Sequence, residues 1–140
     1  MSDTSTLDKA KLWLSETFDE ETRNKVQTLI DSESPDLEDS FYRELEFGTG
    51  GMRGIMGVGT NRLNKYTLGQ ATQGLANYLH QQFSGEEIKV AIAYDVRHNS
   101  KEFGKVVADV LTANGIKVLL FKDHRPTPEL SFTVRDKKCN

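Results

Sequence analysis

Ile88-Lys-Val-Ala-Ile-Ala-Tyr94, then Ser100 through Asn114-Gly115, then Ile116-Lys-Val-Leu-Leu-Phe121: this stretch decides the class of the fold. The first run is almost continuously apolar and rich in β-branched residues, as in a strand buried on both faces. Phe103, Val106, Val107, Val110 and Leu111 then recur at helical spacing, and Asn114-Gly115 supplies a helix stop. The third run repeats the character of the first. Strand, helix, stop, strand predicts a βαβ unit, whose crossover is right-handed and whose strands are parallel. Pro126 and Pro128 end the second strand's segment, and Glu129 to Lys137 is expected to open another helix. The expected class is α/β: a three-layer domain with a mainly parallel sheet, preceded by an N-terminal helical segment.

Upstream, Lys65 to Phe83 has helical spacing, with Leu68, Ala71, Thr72, Leu75, Tyr78 and Leu79 expected on one face. Before it, Phe47 to Thr60 holds six of the chain's 11 glycines and predicts a loop or a pair of bent strands. A short helix is predicted from Pro35 to about Leu45, with proline in its first turn. Ser5 or Thr6 is expected to cap a helix from Leu7 to about Ile30. Asp19 is a second cap candidate that would divide it in two. Ala10, Leu14, Phe18, Val26, Leu29 and Ile30 form its apolar stripe, with Trp13 at the margin.

The 140 residues fit one ordinary domain, and 36% hydrophobic with 28% charged residues reads as globular. A net charge of −3 and a pI near 5.6 speak against nucleic acid or an anionic membrane as partner. Cys139 is alone, so no disulfide framework is expected. The N-terminal Met1-Ser-Asp-Thr-Ser-Thr6 has no basic start or apolar run, and no stretch reaches the roughly 18 apolar residues of a membrane span. The expected location is cytoplasmic.

In open parallel sheets, ligands bind beyond the carboxyl ends of the strands. Two loops fall there: Asp95-Val-Arg-His-Asn-Ser100 and Lys122-Asp-His-Arg125. Arg97, His98, His124 and Arg125 would suit a phosphate if they converged. Equally, Asp95 and Ser100 would cap the next helix and leave the arginines solvated. The glycine-rich segment Phe47-Gly-Thr-Gly-Gly-Met-Arg-Gly54 is not a Walker loop, for no Gly-Lys-Ser or Gly-Lys-Thr occurs. Nor is it a dinucleotide fingerprint, since Arg53 stands where the third glycine belongs. Two readings stay open. Either its backbone amides approach an anion beside the fixed fork of Arg53, or it is a hairpin with Arg53 paired to a surface carboxylate. Asp36, Glu38 and Asp39 read as a solvated helix start rather than metal ligands. His80 reads as a surface residue, and no nucleophile elbow is present.

From Glu46 onward the text resembles the N-terminal domain of the phosphohexomutase superfamily, in its phosphoglucomutase/phosphomannomutase branch, which includes phosphopentomutases. The carrying segments are Glu46-Phe-Gly-Thr-Gly-Gly-Met-Arg-Gly-Ile-Met-Gly-Val-Gly59, Asn61-Arg-Leu-Asn64 and Thr72-Gln-Gly74. Ala93-Tyr-Asp-Val-Arg97 with Asn99-Ser100 follows, and then Pro126-Thr-Pro128 with Ser131-Phe-Thr-Val134. The lead-in with Trp13-Leu14 is similar as well. The resemblance divides the chain into a helical lead-in, 1–45, and a first α/β domain, 46–140, cut before the catalytic serine loop.

What the resemblance implies is one end of a four-domain phosphosugar mutase. Such an enzyme interconverts hexose 1-phosphate and hexose 6-phosphate through a phosphoserine and a bisphosphate intermediate. It implies Mg2+ held by carboxylates outside this segment, glucose 1,6-bisphosphate as primer, and hexose or pentose phosphates as substrates. Carried over by position, Arg53 matches the family's active-site arginine, Thr49 and Gly50 match phosphate-loop positions beside it, and Arg97 matches a loop near the cleft. The family's Thr-Ala-Ser-His-Asn-Pro loop does not occur, and His98-Asn-Ser100 is not that motif. These residues alone are therefore expected to be inactive, to need the downstream domains of the same chain, and to self-associate through an open sheet edge. The rival expectations are a phosphopentomutase and a non-catalytic phosphosugar-binding or interaction module.

Overall fold

The structure, a computed structural model, describes residues 4–140; residues 1–3, part of the N-terminal reading above, lie outside the described residues. Two compact units emerge, Met1–Thr67 and Leu68–Asn140. The glycine-rich segment falls in the first.

The first unit opens with α1 (Thr4–Leu12) and α2 (Glu20–Asp31). The long helical pattern is broken in two between Leu12 and Glu20, and Asp19 begins the second helix. Its carboxylate accepts the Thr22 amide at 3.0 Å and caps α2. α1 begins earlier than expected, so Thr6 is no cap. It is buried inside the helix, and its hydroxyl donates to Glu38 Oε1 at 3.3 Å. α3 (Pro35–Phe41) starts on Ser34, whose hydroxyl accepts the Asp36 amide.

The core of this unit is Ala10, Trp13, Val26, Leu37 and Phe41. Trp13 sits at its centre and not at a margin, because α1 ends at Leu12 and the chain turns the indole inward. It stacks on Phe18 at 4.6 Å and meets Phe41 and Tyr66 edge-on at 5.6 and 5.7 Å. Each such aromatic pair adds about 0.5–1.5 kcal/mol beyond its buried area.

The hairpin β1 (Phe47–Gly48) and β2 (Gly51–Met52) follows, and then α4 (Lys65–Gln82), which starts at the end of the first unit and lies mostly in the second. In the second unit come β3 (Lys89–Ile92), α5 (Ser100–Ala113), β4 (Lys117–Leu120) and α6 (Thr127–Asp136). β3 and β4 pair in parallel, Lys89 with Lys117 through Ile92 with Leu120. The βαβ unit is present, and the fold is α/β. Gly115 takes φ +74°, the left-handed turn that lets the chain leave α5 and enter β4.

Ala76 and Leu79 of α4, Ala108 and Leu111 of α5, and Ile88, Ile92 and Ile116 make the second core. One expectation needs correction. The strands are not buried on both faces: Leu120 is 40% exposed, and α6, which leans on β3, has no buried residue. The buried stripe of α4 is Thr72, Ala76 and Leu79, whereas Leu75 and Tyr78 face solvent.

Candidate functional site

β1 and β2 are antiparallel, Phe47 opposite Met52 and Gly48 opposite Gly51, so Thr49 and Gly50 form the turn. Gly51 takes φ +97°, which a side chain resists. The Arg53 guanidinium folds back over Gly50, where an added β-carbon would stand 2.9 Å from Nη2. Thr49, Gly50 and Arg53 are all exposed. Among the described residues no carboxylate pairs with Arg53. The arrangement joins main chain that has no side chain in the way to an unneutralised planar fork, chemistry suited to a phosphoryl group.

The tip is carried by a closely packed, hydrogen-bonded root. Gly54 lies against Leu45, whose Cδ1 is 2.7 Å from where a β-carbon would be. The Leu45 amide donates to Thr60 O at 2.8 Å, and the Leu63 amide donates to Ile55 O at 2.9 Å. Gly59, at φ +121°, presses on Ser40 O so closely that a β-carbon would be 2.4 Å away. The Asn61 side-chain amide donates to Asp39 O at 2.8 Å and its oxygen accepts Arg43 Nε at 3.1 Å. Arg62, 9% exposed, forms an ion pair with Asp39 Oδ2 at 2.6 Å and donates to Asp39 O at 3.2 Å. Asp39 is therefore bound by an arginine and not merely solvated, and Glu38 accepts Thr6.

Asn64 closes the root. Its oxygen accepts the amides of Tyr66 and Thr67, both at 3.0 Å, and starts α4. Its nitrogen donates to Gly57 O, Gly59 O and Arg62 O at 2.9, 3.0 and 3.3 Å. Neither Arg62 nor Asn64 was assigned a role from the sequence. An asparagine just before a helical run is a cap signal, but its second set of bonds has no sequence signature. Beside this root lies a pocket of about 470 Å3 walled by Lys25, Leu29, Asp39, Ile55, Met56 and Arg62. Its two cations are already neutralised, Lys25 by Glu21 and Arg62 by Asp39.

Asp19, Tyr66 and Lys65 form the other polar knot of this unit. Tyr66 Oη donates to the Asp19 carboxylate at 2.6 Å, and Lys65 Nζ approaches it at 2.9 Å. The tyrosine hydroxyl chiefly, then Lys65 and Thr22, hold the Asp19 carboxyl well below the usual range against its partial desolvation. The same contact with Asp19 raises the Lys65 ammonium.

Arg97 belongs to the second unit, on the loop after β3, with its side chain 85% exposed. Its Nε donates to Asp95 Oδ2 at 2.6 Å, and its amide donates to Asp95 Oδ1 at 3.0 Å. The Arg97 amide first, then the Ser100 hydroxyl, lower the Asp95 carboxyl. One reading of the sequence had Asp95 and Ser100 capping α5; they do not. That helix starts from Asn99 at φ +61° with no side-chain cap bond. Asp95 instead closes the loop on itself. The loops after β3 and β4 do adjoin, for the Arg125 amide donates to Tyr94 O at 3.1 Å. Their arginines do not converge on open space: Arg125 pairs with Glu129 at 3.1 Å as Arg97 does with Asp95. His98 and His124 are exposed. Among the described residues no group of three His, Cys, Asp or Glu side chains gathers to hold a metal ion.

Residues 44–140 match the family model described as phosphoglucomutase/phosphomannomutase, alpha/beta/alpha domain I. The phosphoglucomutase of Staphylococcus haemolyticus (strain JCSC1435) is 43% identical over 111 residues, 79% of this chain and 20% of that protein. The phosphoglucomutase of Staphylococcus aureus (strain USA300) is 39% identical over 132 residues, 94% of this chain and 23% of that protein. The chain thus spans about a fifth of the length of these curated relatives. No solved structure gives a significant match.

Proposed function

The chain belongs to the phosphoglucomutase/phosphomannomutase family, and on that footing we propose that it is the N-terminal part of a mutase interconverting hexose 1-phosphate and hexose 6-phosphate. In this reading a phosphoserine from a later segment passes its phosphoryl group to the sugar, and the bisphosphate returns the other. Such transfer depends on positioning and on neutralising charge. Arg53 serves the phosphoryl group as a bidentate fork, Thr49 and Gly50 bring backbone N–H groups to its oxygens, and Arg97 acts from the cleft-side loop. The observation that carries this reading is the exposed Arg53 fork over Gly50. Arg97 already holds Asp95.

A bound Mg2+ would neutralise phosphoryl charge, with its ligands in the later part of the longer protein; glucose 1,6-bisphosphate would prime the serine. The lead-in (1–45) and first α/β domain (46–140) are part of the same proposal, as is a cytoplasmic location. Among the described residues no helix is long and apolar enough to cross a membrane.

The test is turnover of glucose 1-phosphate primed with glucose 1,6-bisphosphate. The longer enzyme should turn over, and these 140 residues alone should not. Arg53→Ala in the longer enzyme should lower kcat roughly 10²–10³-fold, the scale seen when one charge-stabilising donor is removed. Wild-type kcat in that variant ends the reading. We further propose that the 140-residue chain self-associates through the sheet edge at Leu120, which is 40% exposed. A single monomeric species in sedimentation velocity across a hundredfold concentration range (an order-of-magnitude span) would refute it.

A further inference from the structure

We infer that Asn64 is a positioning residue for Arg53: it clasps the root of the glycine-rich segment to the start of α4 and so fixes where the guanidinium projects. The inference rests on the role proposed for Arg53. Asn64 faces two ways. Its oxygen takes the Tyr66 and Thr67 amides, the ordinary work of a helix cap. Its nitrogen faces the loop and takes the carbonyls of Gly57, Gly59 and Arg62. An amide is the smallest side chain with an acceptor and a two-proton donor on one carbon; aspartate can do the first task but not the second, and serine has a single proton for three carbonyls.

The bonds then lead to the tip. Leu63, next to Asn64, donates to Ile55 O at 2.9 Å and accepts the Gly57 amide at 3.3 Å. Ile55 is two residues from Arg53. On the other side of the hairpin, Leu45 is tied to Thr60 O and packs on Gly54. Both feet of the hairpin therefore stand on segment 54–64, and Asn64 locks that segment. The hairpin strands themselves are two residues each and supply little stiffness of their own.

Asn64→Asp separates the two tasks. Aspartate caps a helix as well as asparagine, but its carboxylate confronts the loop carbonyls with no proton to give. In the 140-residue chain, the Gly57 and Leu63 amides should exchange with solvent about tenfold faster or more in N64D, while the Tyr66 and Thr67 amides at the start of α4 stay as protected as in wild type. In the longer enzyme, kcat should fall roughly 10–100-fold with KM for glucose 1-phosphate unchanged, since displacing a catalytic group by an ångström has effects of that size. Asn64→Ala should lose cap and clasp together, lowering the melting temperature as well. Unchanged amide exchange in N64D overturns the clasp. Faster exchange with wild-type kcat overturns the positioning role. Failure of the Arg53 reading is recognised separately, by wild-type turnover in Arg53→Ala, because amide exchange reports on the clasp whatever Arg53 does.

Discussion

Arg53 lies over Gly50 so closely that a β-carbon on the glycine would stand 2.9 Å from Nη2. The obstacle is the far end of a flexible side chain, and Gly50 does not itself need a positive φ. Gly50→Ala should therefore leave the unfolding free energy of the chain within about 0.5 kcal/mol of wild type, as for other surface substitutions. The displaced guanidinium should show instead as lower kcat in the longer enzyme. Chemical denaturation and primed turnover, measured on the same variant, check the two halves.

Gly59 presents the opposite case. It combines φ +121° with backbone and side-chain atoms of Ser40 inside contact distance, so neither strain nor clash can relax locally. Gly59→Ala should cost more than about 2 kcal/mol, beyond the 1–2 kcal/mol of an unfavourable backbone alone. A midpoint shift in urea would register it.

The Asp19 knot predicts an acid limb. Its carboxyl is depressed in the folded state, so its contribution is complete above the unfolded value near 3.9 and is lost as pH falls through the lower folded value. Between about pH 4 and 2, Asp19→Asn should lose stability less steeply than wild type. Tyr66→Phe, which strips the main cause of the depression and leaves the Asp19 amide without its 2.8 Å acceptor, should cost about 1–2 kcal/mol at pH 7. Urea denaturation as a function of pH tests both.

The Arg62 fork binds the Asp39 carboxylate and carbonyl at once. A lysine cannot reproduce that planar grip. Arg62→Lys should destabilise the chain by about 1.5–3 kcal/mol, the worth of hydrogen bonds to a charged group. Thermal unfolding reads this directly.

Leu111 is fully buried between α5 and the sheet. Leu111→Ala should cost about 2–5 kcal/mol, enough to unfold much of so small a core near 37 °C. Near-ultraviolet circular dichroism on warming would follow the loss.

The βαβ unit could be read from sequence because it is written in local terms: two β-branched runs, a helical period and a glycine at φ +74°. Asp19 as the cap of the second helix was readable for the same reason, since a cap acts within three residues. Long-range geometry was not. Trp13 looked marginal because its place depends on where α1 stops, and helical spacing alone did not say which positions of the α4 face, Leu75 and Tyr78 among them, stay exposed. Around the site, the glycines and Arg53 stood out by composition. The bonds from Asn64 to Gly57 and Gly59, and from Arg62 to Asp39, join residues whose identities alone give no hint of partnership.

The residues paired between β3 and β4 lie 28 positions apart along the chain. Such a short separation keeps the entropic cost of closing the loop low and favours rapid assembly. During synthesis the βαβ unit can therefore close as soon as β4 clears the ribosome, while the residues that follow are still inside it. Its hydrogen bonds to later text, from the Arg125 amide to Tyr94 O at 3.1 Å and from the Asn140 amide to Lys89 O at 2.9 Å, are then made on a surface already formed. The nascent protein acquires a template early, and what emerges afterwards has an edge on which to be laid down.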